Sequence, residues 1–116
     1  AMVSGGLNFF AKKLQAELEI EKYRANNVEI INGLMTGNVL GKVVDAKEKA
    51  AYIKELCEEF NLKNDQVVAI GDGANDIEMM KVAGMSVAYH AKPLLKEYCN
   101  IQLNFGGLDS LIHFFE

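Results

Sequence analysis

Four apolar residues in a row, Val67, Val68, Ala69 and Ile70, run into Gly71-Asp72-Gly73-Ala74-Asn75-Asp76, and apolar residues at helical spacing follow. An unalternated run of this length reads as a strand buried on both faces, the kind a parallel sheet requires. Parallel strands need a crossover between them, usually a helix. The rest of the chain supplies those crossovers. Residues 86–89 and 101–103 read as further core strands. Residues 76–83, 94–98 and 108–115 read as helices, the first stopped by Gly84 and the second begun by Pro93. Strands alternating with helices imply a doubly wound parallel α/β sheet.

The front of the chain follows the same pattern with one insertion. Residues 2–6, MVSGG, form a glycine-rich entry, and residues 7–18 read as a helix with Leu7, Phe10, Leu14 and Leu18 every three or four positions. Residues 28–31 and 34–40 flank Asn32-Gly33, a strong hairpin signal because both residues tolerate positive φ. Asp45 is placed as the N-cap of a helix running to Phe60, with Ala46, Ala50, Ile53, Leu56, Cys57 and Phe60 along one face.

Composition bounds the function. The length, 116 residues, fits one domain, read as 2–116 with Ala1 a tag remnant before Met2. Net charge is −4 and no basic stripe interleaves with aromatics, so nucleic acid is not an expected partner. No apolar run approaches the roughly 20 residues that span a bilayer, so no membrane is expected either. Cys57 and Cys99 have no metal-ligand spacing and read as thiols kept reduced in a cytoplasm. His90 and His113 stand alone and receive no chemistry, and Met79 and Met80 read as core residues.

The residues after the 67–70 strand carry the chemistry. In an open parallel sheet, ligands bind beyond the carboxyl ends of the strands, where Asp72 sits. A carboxylate there suits a hard cation such as Mg²⁺. Gly71 and Gly73 allow a close backbone approach, and the free N–H groups of the following helix suit an anion. Turn formation and capping explain Asn75 and Asp76 one at a time, but neither role requires Asp72.

The GDGAND stretch resembles the fourth motif of the haloacid dehalogenase (HAD) superfamily, whose members transfer phosphoryl groups through an aspartyl-phosphate. P-type ATPases carry a similar GDGxND, but they have many membrane spans. VSGG resembles the second motif, which points to Ser4 and Gly5 as phosphate ligands. VVDAKEKA resembles the third motif in the D-A-x-x-K-A frame of the bacterial phosphoserine phosphatase branch, which makes Lys49 the motif lysine. The spacing from Lys49 to Asp72 (72 − 49 = 23) also suits that branch. VEIINGLMTGNVLG and AYHAKP extend the resemblance over nearly the whole chain.

The resemblance implies a partial, Rossmann-like, HAD-type core and a set of roles. Asp72 would hold Mg²⁺, Asn75 would contact phosphoserine, and Asp76 would orient Lys49. Lys49 would neutralise charge on the transferring phosphate. The ligands implied are phosphoserine or inorganic phosphate. The superfamily's first motif, DxDx[TV], which supplies the nucleophile, does not occur in the sequence, nor does the cap that selects substrate, nor a strand leading into Ser4. The chain is therefore expected to be inactive alone and to bind Mg²⁺ weakly or not at all. An alternative is a phosphate- or Mg-binding module that complements another chain. Without a neighbouring nucleophile strand, residues 67–70 would form an unguarded apolar edge, and self-association through it is expected.

Overall fold

The computed structural model describes residues 1–115; Glu116, the last position of the expected domain, lies outside the described residues. The chain divides into two compact units, residues 1–52 and 53–116. It is an α/β protein with parallel sheets and flanking helices, as its alternating pattern requires.

In the first unit, β1 (Met2–Leu7) leads through α1 (Asn8–Leu18) to β2 (Tyr23–Ile31), which turns back into β3 (Leu34–Leu40). β1 and β2 are parallel, β2 and β3 antiparallel, in the order β1-β2-β3. The hairpin turn is the expected Asn-Gly, with φ of 52° at Asn32 and 76° at Gly33. The expected glycine-rich entry is instead a strand. Gly5 and Gly6 lie in extended backbone between Val3 and Leu7, which pair with Arg24 and Asn26 of β2 across a register shift. Residues 8–18 are helical as expected, but the anticipated apolar stripe is exposed: Phe10 by 64%, Leu14 by 42% and Leu18 by 60%. Ala11 is the buried residue of α1.

Helix α2 (Ala46–Glu59) begins in the first unit and ends in the second. Asp45 caps it as expected: its Oδ1 accepts the Glu48 N–H at 2.9 Å, and its carbonyl accepts the Lys49 N–H at 3.0 Å. Its buried positions are Lys49, Tyr52, Ile53 and Cys57, a helical stripe that includes a lysine.

In the second unit, β4 (Val68–Gly71), β5 (Met85–Tyr89) and β6 (Ile101–Leu103) form an all-parallel sheet in that order. α3 (Ile77–Val82) and α4 (Pro93–Lys96) are the crossovers. The core gathers on β5, where Val87 and Ala88 are wholly buried, and Leu95 of α4 is wholly buried as well. Two helices differ from expectation in kind. Ala74–Asp76 is a 3₁₀ turn ahead of α3, and Leu108–Phe114 is a 3₁₀ helix.

Candidate functional site

Each unit brings together part of the set expected from sequence. In the first, Ser4 and Gly5 lie within β1. The Ser4 Oγ accepts the Gly6 N–H at 3.0 Å, which bends the serine hydroxyl along the backbone that follows it. Gly5 runs against the entry to α2: a Cβ there would stand 3.4 Å from the Val44 carbonyl oxygen. Val44 is 5% exposed and lies two positions before the first residue of α2. One turn into that helix sits Lys49, 6% exposed.

Two side chains of this unit escaped the sequence reading. Asn26 of β2 is 7% exposed; its Nδ2 donates to the Gly5 carbonyl at 2.8 Å, and its Oδ1 accepts the Val44 N–H at 2.7 Å. Arg24, two residues earlier, donates through Nη1 to Glu48 Oε1 at 2.8 Å. Its guanidinium also stacks over the Tyr52 ring, 4.2 Å from the centroid. Arg24 thus grips α2 on both sides of Lys49. A polar residue inside a strand pattern was the available signal, but Asn26-Asn27 reads more readily as loop.

In the second unit, Asp72 follows β4 directly and is exposed, as is Asn75. Asp76 is 4% exposed and turns back on the strand end: its Oδ2 accepts the Asp72 N–H at 3.1 Å and the Gly73 N–H at 3.3 Å. The closeness expected at Gly71 is to this side chain, since a Cβ on Gly71 would stand 2.6 Å from Asp76 Oδ2. Among the described residues, no cluster of three or more His, Cys, Asp or Glu side chains is placed to hold a metal ion. Asp72 offers an exposed carboxylate at the strand end. One carboxylate fits a Mg²⁺ ion that keeps most of its waters, and does not make a closed cage.

The exit of β5 was also missed. His90 has a φ of 43°, in the left-handed region. Three contacts hold this turn. The His90 N–H donates to the Leu103 carbonyl at 2.8 Å, and the Lys92 N–H donates to the Asp72 carbonyl at 3.0 Å. The His90 Nε2 lies 2.8 Å from the Gly106 carbonyl, so Nε2 carries the proton in that bond. The turn therefore ties the backbone of Asp72 to the loop after β6. Burial, opposed in part by a hydrogen bond to Ser86, raises the pKa of Cys99 and keeps that thiol protonated.

Known proteins bear on both sets. Residues 6–114 match the haloacid dehalogenase-like hydrolase family. A phosphoserine phosphatase of Polaromonas is 43% identical over 115 residues, covering 96% of this chain and 49% of its own length. One of Haemophilus influenzae is 44% identical over 112 residues, covering 97% of this chain and 36% of its own. The chain thus spans half or less of the length of these curated relatives. Among solved structures, a probable phosphoserine phosphatase from Vibrio cholerae superposes with a TM-score of 0.90 at 39% identity, covering 95% of this chain and 34% of that one. A substrate-bound phosphoserine phosphatase complex superposes at 0.91 with 33% identity. The catalytic domain of the CPx-ATPase CopB-B, at 0.70 and 23% identity, shares the fold.

Proposed function

This chain belongs to the haloacid dehalogenase-like hydrolase family, and we propose that it is the back part of a phosphoserine phosphatase, which hydrolyses L-phosphoserine to serine and phosphate. The observation that carries this reading is the burial of Lys49, 6% exposed on the packed stripe of α2. Lysine is among the residues least often fully buried unless paired, and apolar packing alone gives no reason to place one there. A binding site for phosphate oxygens does.

Each side chain then has a task. Ser4 Oγ and the Gly5 N–H bind phosphate oxygens, and Lys49 offsets the charge that spreads over them during transfer. Asn75, exposed after β4, contacts the serine moiety. Asp76 fixes the backbone of Asp72 and Gly73 through the two N–H groups it accepts. Asp72 would hold Mg²⁺, which when bound supplies Lewis-acid stabilisation of phosphate charge. A cytoplasmic setting belongs to the same reading, in keeping with two free cysteines.

No DxDx[TV] stretch occurs in the sequence. The 116-residue polypeptide by itself is therefore expected to release no phosphate from L-phosphoserine with Mg²⁺. Mixed with the DxDx[TV]-bearing front part of the Haemophilus influenzae relative, it is expected to restore release, and its Asp72→Asn variant is not. A mixed complex that forms and stays silent would sink the reading. So would activity of the polypeptide alone that survives Asp72→Asn.

One observation favours a second reading, an interaction module. β4 is an edge strand of its sheet, with Val68 and Ile70 exposed by 38% and 39%. The Met85 N–H donates to the Val67 carbonyl, so peptide groups of alternate parity, at Val68 and Ile70, face away from β5. No charge or proline guards that side, and association of copies through it is part of this reading.

A further inference from the structure

Asn26 joins two stretches that the proposed function needs together. Its carboxamide donates to the Gly5 carbonyl at 2.8 Å and accepts from the Val44 N–H at 2.7 Å. Turning the amide over would set nitrogen against N–H and oxygen against carbonyl, so a single orientation satisfies both partners. The side chain is 7% exposed, so water does not compete for either bond. Gly5 and Val44 are neighbours by a separate measure, the 3.4 Å between a Cβ on Gly5 and the Val44 carbonyl oxygen.

From Val44 the chain passes to Asp45, which holds the Glu48 N–H with its side chain and the Lys49 N–H with its carbonyl. Arg24, on the same face of β2 as Asn26, fastens Glu48 and Tyr52. β2 thus fixes both the stretch of β1 bearing Ser4 and Gly5 and the first turn of the helix bearing Lys49.

We propose that Asn26 is a positioning residue that sets the register between the Ser4–Gly5 stretch of β1 and the Lys49 helix, so that both meet one phosphate. The assignment rests on reading Ser4, Gly5 and Lys49 as phosphate ligands. Glutamine would overreach and serine would fall short. Aspartate matches the shape and keeps the acceptor for Val44 N–H, but an ionised carboxylate presents oxygen to the Gly5 carbonyl.

Asn26→Asp therefore separates the two bonds. In ligand-free protein near neutral pH, its backbone amide resonances are expected to move at Gly5 and Gly6 together with those from Asp45 to Lys49. Movement confined to residues adjoining position 26 overturns the coupling. Titration with inorganic phosphate is expected to show a loss of affinity of roughly 10- to 100-fold in this variant, the scale of a misplaced ligand set. Unchanged affinity beside moved resonances would make Asn26 a strut and overturn the positioning role. Should the variant not fold, amide exchange of the unaltered protein decides. Phosphate is expected to slow exchange at Val44 N–H as well as Gly5 N–H, and protection of Gly5 alone overturns the proposal. If the unaltered protein shows no phosphate response, the ligand reading fails, while the linked ligand-free shifts still support the coupling and their absence overturns it.

Discussion

Asp76 Oδ2 accepts the Asp72 N–H at 3.1 Å, so one acid of the GDGAND stretch holds the backbone of the other. The arrangement leaves the Asp72 side chain outside and the Asp76 side chain 4% exposed inside. Two acids four residues apart thus do different work. One fixes the strand end, and the other is presented from it.

Gly71 is the residue that makes this closure possible. A Cβ there would sit 2.6 Å from Asp76 Oδ2 and 2.7 Å from its Cβ. Gly71→Ala is expected to destabilise the protein by about 1–3 kcal/mol, the usual cost of forcing atoms into a packed site. Asp76→Ala leaves two backbone N–H groups unpaired and is expected to cost a similar amount, about 1–3 kcal/mol. Urea unfolding of both, with and without the other change, checks the pair. The two losses are expected to fall short of additive, because both act through one contact.

Lys49 carries the proposed electrostatics. In the reconstituted complex with a front part from a relative, Lys49→Met is expected to lower phosphate release on the order of 10²–10³-fold, as removal of one charge-stabilising donor does elsewhere. Steady-state release of phosphate from L-phosphoserine reads it. A loss under threefold would remove Lys49 from the phosphate site.

The hairpin has its own pH dependence. Hydrogen bonds from Thr36 and then Asn38 hold the Glu29 pKa below its ordinary 4.5. A depressed carboxyl pKa contributes stability above the unfolded value and loses it as pH falls through the folded one. The amide resonances of Thr36 and Asn38 are therefore expected to shift on acidification with a midpoint below 4.5. In Glu29→Gln the acid-dependent shift is expected to disappear.

The β4 edge is expected to draw copies together. Light scattering at micromolar concentrations should give a mass above that of one chain, and Val68→Lys should lower it, since a lysine on an edge opposes pairing. A single-chain mass for the unaltered protein would count against association by this route.

How far the sequence could be read depended on whether a residue's reason was local. Asn32-Gly33 took its turn and Asp45 its cap because each answers to its immediate neighbours. The 67–70 run declared its strand by its unbroken apolar residues, and the strand formed one position later, at Val68–Gly71, but burial on both faces did not follow: Ala69 is buried while Val68 and Ile70 lie exposed on an edge. β2 was foreseen only from Val28 onward, and its true start is Tyr23. The missing residues run from Tyr23 to Asn27, where the loop preference of Asn26-Asn27 is overruled by pairing, Asn26 with Leu7 of β1 and Asn27 with Leu40 of β3, and by the partners of Asn26 21 and 18 positions away. The stripe of α1 was legible as a period but not as burial, since period says nothing about what lies opposite. For the site, GDGAND and DAKEKA marked candidate residues, and their supporting side chains, Asn26, Arg24 and His90, were invisible because each acts through long-range contacts.

His90 has a consequence for drift. Its φ of 43° is easy for glycine and tolerable for asparagine, and strained for branched residues. Its imidazole bond to Gly106 demands a donor of about its own reach. Two filters of different physical origin therefore act on one position, and asparagine passes the first while failing the second only in length. A lineage that wandered through asparagine at 90 would keep the turn that holds Asp72 and release the loop after β6. Divergence would then begin at that loop and leave the strand ends as they are.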